Sequence, residues 1–130
     1  MQKQVIQTES APAAIGPYSQ AVADPATGLL FCSGQVGIDP ATGQMVEGGV
    51  EAEFRQVLRN VRAVLDAAGL GTENVLKTTL FLADMDDFAR VNQLYGEFFA
   101  EPYPARSAVA VKTLPKGCDV ELEVIAQRRG

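Results

Sequence analysis

The sequence predicts an α+β fold in the order β-β-β-α-β-α-β-β. Three observations carry that reading: two stretches with helical apolar periodicity, short alternating or β-branched runs around them, and glycine- or proline-rich breaks between. Two helices can cover only one face of such a sheet. At 130 residues the chain is expected to form one domain, 1–130, with no internal repeat or low-complexity linker. Apolar residues make up 47% and charged residues 21%, which excludes disorder, collagen and coiled coil as the main architecture.

Residues 3–8 (KQVIQT) alternate weakly and read as a first strand. Residues 17–23 and 29–34 flank Asp24-Pro25-Ala26-Thr27-Gly28 and read as a hairpin. Residues 37–49 hold four glycines and a proline and read as a long loop of functional interest. Over 50–68, Val50, Phe54, Val57, Leu58, Val61, Val64, Leu65 and Ala68 fall on one helical face. Gly69 suits a left-handed C-cap, with Leu70 as its apolar contact. Residues 75–83 are β-branched and apolar, the pattern of a buried strand. Asp84 reads as the N-cap of a second helix, with Asp86 and Asp87 near its positive end. That helix carries Phe88, Val91, Leu94, Tyr95, Phe98 and Phe99, and Glu101-Pro102-Tyr103-Pro104 ends it. Strands at 106–112 and 119–127 flank a turn around Leu114-Pro115-Lys116-Gly117. On the last strand Val120, Leu122, Val124 and Ala126 share one side, and Glu121, Glu123, Ile125 and Gln127 the other. A second face with Ile125 among polar groups predicts an oligomer.

Eleven basic and sixteen acidic residues give a net charge of −5, which argues against general nucleic-acid binding. With no histidine, Ser-His-Asp and Cys-His catalysis and His-ligated metals are excluded. Cys32 and Cys118 are too few for a cysteine zinc site and read as buried, inert thiols. No apolar run approaches the ~20 residues of a membrane helix, and no signal-peptide pattern opens the chain, so a cytoplasmic protein is expected. The remaining chemistry lies with carboxylates, arginines, tyrosines and backbone groups. Arg106, starting a strand, offers a planar fork that binds a carboxylate bidentately. Glu121, mid-strand among apolar neighbours, suits a general base if a cleft desolvates it. Tyr18 follows Gly16-Pro17 at a strand start, Gly34 after Ser33 permits close backbone approach, and Asn92 sits in an otherwise apolar helix. Each of these also has a plain structural reading. Arg55, Arg59 and Arg62 form a stripe that, with an i,i+4 pair of Glu51 and Arg55, reads as a solvated helix face.

The run Ala11-Pro12-Ala13-Ala14-Ile15-Gly16-Pro17-Tyr18-Ser19-Gln20-Ala21 resembles the N-terminal signature of the reactive intermediate deaminase (RidA/YjgF) family. Ser33-Gly34-Gln35, Ala67 to Leu70 with Lys77-Thr78-Thr79, Phe88 to Asn92, Pro104-Ala105-Arg106-Ser107, Leu114 to Gly117 and Val120 to Ala126 continue the match in order. The resemblance implies a chorismate-mutase-like fold, a mixed sheet with two helices packed on one face. It also implies a homotrimer with active sites between subunits, no cofactor and no metal. The implied reaction is hydrolysis of 2-aminoacrylate, 2-iminopropanoate or 2-iminobutanoate to a 2-oxo acid and ammonia. By resemblance, Arg106 clamps the substrate carboxylate and Glu121 positions water and handles its proton. Tyr18 lines the pocket, Ser33 and Gly34 lie near the imine nitrogen, and Asn92 and Ala108 border the cleft. Many members carry cysteine where Ala108 stands here, so a thiol role at that position is excluded. Two alternatives belong to other classes: an endoribonuclease or translation inhibitor, and a non-catalytic ligand-binding or chaperone-like trimer.

Overall fold

Residues 2–128 are described by a computed structural model. Strands β1 (Gln4–Ile6), β2 (Ala21–Ala23) and β3 (Leu29–Cys32) are followed by a small hairpin, β4 (Ile38–Asp39) and β5 (Gln44–Met45). Helix α1 (Gly49–Ala67), strand β6 (Val75–Leu82), helix α2 (Phe88–Phe98) and strands β7 (Ala105–Ala110) and β8 (Val120–Gln127) complete the chain. The main sheet has the order β1-β2-β3-β8-β6-β7. Only β6 and β7 pair in parallel, connected through α2; the other neighbours are antiparallel.

Alternation decides which face meets the helices. Val120, Leu122, Val124 and Ala126 of β8 are 1% exposed or less and join Leu80 and Leu82 of β6 against Phe54, Val57, Val61, Val64 and Leu65 of α1. Val91, Leu94 and Tyr95 of α2 close the same core. The opposite face keeps large apolar groups in solvent: Val5, Phe31 and Val109 are 56%, 48% and 42% exposed. Phe31 stands across from Ile125, and Phe81 pairs with both Glu121 and Val109.

Helix α1 ends in the expected cap. Gly69 has φ +74°, its N–H bonds the Asp66 carbonyl, and the Leu70 N–H bonds the Leu65 carbonyl, both at 2.9 Å. These are the two bonds of a Schellman motif. Asp84 caps as expected, but the cap belongs to a one-turn 3-10 helix, Met85–Asp87, that leads into α2; its carboxylate accepts from the Asp86 N–H at 2.9 Å.

Three expectations need correction. The strand expected over 17–23 is formed only at 21–23, because Gln20 spends its side chain on the loop before it. The Gln20 amide accepts from the Thr8 N–H at 2.7 Å and donates to the Thr8, Ala11 and Pro12 carbonyls. Tyr18 therefore sits on a loop. Residues 37–49 are not a plain loop, since β4 and β5 pair there around a turn closed by Asp39. The Glu51–Arg55 pair is not formed; among the described residues the ion pair is Arg90–Asp87. Arg59 donates instead to Gln56, and Arg62 stacks on Phe98 with 4.8 Å to the ring centroid.

Candidate active site

Two clefts gather Tyr18, Ser33, Gly34, Asn92 and Arg106, whereas Glu121 is not a lining residue of either and lies against Gly34. The first, about 460 Å³, is lined by Asn92, Tyr95 and Gly96 of α2 with Tyr103, Pro104 and Arg106. Arg106 begins the edge strand β7 and faces the helical layer, because its partner across the parallel ladder is buried Thr78. Its guanidinium donates to Asn92 Oδ1 at 2.7 Å. The guanidinium carbon lies 4.7 Å from the Tyr95 ring centroid and 5.3 Å from that of Phe88. No carboxylate pairs with Arg106 among the described residues. An arginine so placed keeps most of its five N–H donors, and its full charge, for a ligand.

The second cleft, about 370 Å³, is lined by Tyr18, Gln20, Ser33, Gly34, Gln35 and Lys116, with apolar walls from Pro12, Ile15, Val36 and Ile38. Backbone bonds between Gln35 and Leu122 at 2.8 and 3.1 Å hold residues 33–35 alongside β8. The Glu121 carboxylate lies so close to Gly34 that any Cβ there would collide with it. Here glycine's missing side chain makes room for a carboxylate. Burial pushes the Glu121 carboxyl above its usual range, and the Glu123 carboxylate adds to the shift. A carboxylate of raised pKa accepts a proton from water more readily than an exposed one. The Ser33 hydroxyl donates to the Ser19 carbonyl at 2.6 Å, so toward a ligand it presents its lone pairs. Tyr18 is 54% exposed, on a turn in which its N–H bonds the Gly16 carbonyl at 2.9 Å.

One chain does not bring these halves together. Arg106 projects on the helix-covered face of the sheet and Glu121 on the open face. Ala108, across from buried Leu80, packs against the core and lines neither cleft. Cys118 is buried as expected and Cys32 only partly so; burial pushes Cys32 up to about 12 and Cys118 up to about 11, which disfavours the reactive thiolate in both. No group of metal-ligating side chains occurs among the described residues.

Several lining residues escaped the reading of the sequence. Tyr95 and Phe88 follow the apolar period of α2 and read as core; only the approach of β7 makes their faces a floor for Arg106. Lys116 reads as a turn residue; its φ of 57° at the tip of the 115–117 turn takes it to the second cleft. The usable signal was Tyr103-Pro104, two residues before Arg106.

A six-stranded mixed sheet, both helices on one face and clefts at its edges define a chorismate-mutase-like α+β protein. Residues 8–128 match the family model described as Endoribonuclease L-PSP, and the chain belongs to that family, the RidA/YjgF family. The 2-iminobutanoate/2-iminopropanoate deaminase of Mus musculus is 52% identical over 95% of this chain and 90% of its own. RidA from the Antarctic bacterium Psychrobacter sp. PAMC 21119 superposes with a TM-score of 0.91 at 45% identity, covering 96% of this chain and 99% of its own. The structure of E. coli TdcF with bound serine matches with a TM-score of 0.89 at 42% identity, over 97% and 99% of the two chains.

Proposed function

We propose that this chain is a hydrolytic deaminase of reactive 2-enamino and 2-imino acids, releasing a 2-oxo acid and ammonia. Relatives about half identical over most of the chain carry that activity in their names. The observation that carries the reading is an arginine fork with no acidic partner among the described residues and, on the opposite face of the sheet, a half-buried glutamate beside Gly34. Arg106 holds the substrate carboxylate and fixes the C=N carbon relative to water. Glu121 takes a proton as that water adds to the carbon, giving a carbinolamine. It returns the proton to the nitrogen and then takes the hydroxyl proton as the C–N bond breaks and the C=O forms, so that the 2-oxo acid and ammonia are released. Asn92 steadies the fork, Tyr18 walls the pocket, and Ser33 and Gly34 border the reacting centre. Such imines hydrolyse unaided, so orientation and one base suffice and no cofactor is invoked.

The site is completed between copies of the chain in a homotrimer. Support comes from the apolar open face and from the placement of Arg106 and Glu121 on opposite faces of one sheet. Arg106 lies on an edge strand, where a docked neighbour can meet it. We place the protein in the cytoplasm, whose reducing conditions suit two free thiols. No helix among the described residues is long and apolar enough to cross a membrane.

The test is 2-oxo-acid formation from freshly generated 2-iminopropanoate and 2-iminobutanoate, read against a no-enzyme control. Arg106→Ala should lower kcat/KM on the order of a hundredfold or more. Full activity in that variant would remove the deaminase assignment from this cleft.

A further inference from the structure

What holds Arg106 is as informative as what it lacks. Phe88, Asn92 and Tyr95 stand at i, i+4 and i+7 on α2, one stripe of the helix aimed at the edge strand. Two of them offer ring faces to the guanidinium, at 5.3 and 4.7 Å, and the third accepts one N–H at 2.7 Å. Tyr95 is itself fixed. It is 4% exposed, and its hydroxyl shares a 2.7 Å hydrogen bond with the hydroxyl of Thr78, which is fully buried. Thr78 is also the Cα partner of Arg106 across the parallel ladder. Burial raises the Tyr95 phenol, with Thr78 and Arg106 pulling it partly back, so it stays neutral. A carboxylate in this position would hold the arginine equally well and neutralise it. Aromatic faces and an amide hold it without cancelling its charge.

We propose that Tyr95, tied down by Thr78, is a positioning residue that aims the Arg106 fork and keeps its charge available to an anionic substrate. The inference rests on the reading of Arg106 as the carboxylate clamp. Tyr95 and Thr78 touch no reacting atom; they act through the guanidinium. Their loss therefore falls on carboxylate affinity and KM more than on kcat.

The experiment measures the Kd of 2-oxobutanoate by calorimetry, together with KM and kcat, for Tyr95→Leu, Thr78→Val and Arg106→Ala. Each of the first two is also combined with Arg106→Ala. Tyr95→Leu should weaken binding and raise KM by roughly threefold to thirtyfold, the span of a cation–π contact. Thr78→Val should move both in the same direction by less. On the Arg106→Ala background neither substitution should weaken binding further, because the group they act through is gone. A purely structural role would lower the melting temperature while leaving the effects additive with Arg106→Ala, and that result overturns the proposal. Wild-type binding by Thr78→Val and Tyr95→Leu overturns it too; if Tyr95→Leu does not fold, Thr78→Val decides alone. If Arg106→Ala itself binds 2-oxobutanoate like wild type, the clamp reading fails, and this inference fails with it.

Discussion

At the scale of single residues, Glu121 and Gly34 form a unit. The Glu121 carboxylate lies in the space a Cβ at position 34 would fill. Gly34→Ala should therefore displace the carboxylate and lower kcat, while circular dichroism and melting stay near wild type. Glu121→Gln keeps shape and hydrogen bonding but removes the base. It should lower kcat on the order of 10²- to 10⁴-fold and leave the Kd of 2-oxobutanoate nearly unchanged. Burial and Glu123 raise the Glu121 pKa, so the basic form is lost as pH falls through a value above the ordinary carboxylate range. The acid limb of a wild-type kcat/KM profile should reflect that value, and Glu123→Gln should move the limb to lower pH. Arg106 and Glu121 were both legible as candidates from residue type and strand position. Lys116 was not, because a side chain carried on a left-handed turn has no periodicity to betray its direction.

At the scale of elements, buried polar groups pin the cleft walls to α1. Asn60, fully buried, donates to the Val36 carbonyl at 3.1 Å and the Ile38 carbonyl at 2.9 Å, and Gln56 donates to its Oδ1 at 2.9 Å. Gly37 crosses the helix so closely that a Cβ would lie 2.9 Å from the Glu53 backbone. Val36 and Ile38 line the second cleft, so this clamp positions it. Asn60→Ala takes a donor from the Ile38 carbonyl and an acceptor from Gln56, while the Val36 carbonyl keeps the Ile38 N–H at 2.8 Å, a loss of about 1–3 kcal/mol. A lower melting temperature and a raised KM are expected together. Glu53 does the same for β8 by accepting from the Asp119 N–H at 2.9 Å. Burial raises its pKa, that hydrogen bond opposes the rise, and the carboxylates of Asp119 and Asp87 add to it. A folded-state pKa above the unfolded one means stability that is complete at acid pH and lost as pH rises through the folded value. Glu53→Gln keeps the acceptor and removes the charge. Its melting temperature should exceed that of wild type at neutral pH, and the difference should close toward pH ~4.

For the whole molecule, the proposed trimer rests on the open sheet face. Phe31 is 48% exposed, opposite Ile125 at the centre of that face. Phe31→Glu costs one chain little packing but places a charge on the face the proposed trimer would bury. Sedimentation velocity should show wild type as a trimer and Phe31→Glu as a monomer, with deaminase activity lost in the variant. A wild-type monomer would leave Arg106 and Glu121 on separate faces with no route to one substrate. Net charge and the lack of histidine also bear on the family model's description as an endoribonuclease. Incubation with single-stranded RNA should give no cleavage that tracks Arg106 or Glu121. Cleavage abolished by Arg106→Ala or Glu121→Gln would reverse that reading.

Apart from the β4–β5 hairpin, the order of strands and helices, the core face of each element and the glycine that ends α1 are local matters, and the sequence by itself determined them. Periods of 2 and 3.6 state which side of an element is apolar, and cap residues state where it stops. Residue type and place on an element named Arg106, Glu121, Tyr18 and Asn92 as candidates. They could not say that residues 17–20 leave the sheet, since that follows from Gln20 reaching back eight to twelve residues to Thr8, Ala11 and Pro12. Nor could they divide the site. The order β3-β8-β6-β7 and the Thr78–Arg106 register put the clamp on one face and the base on the other. A side chain's direction is fixed by its own strand, but its neighbours are fixed by which strand lies beside it. Only the tertiary structure decided that Tyr95 and Phe88, apolar positions on a helix, would serve as the neutral floor beneath Arg106.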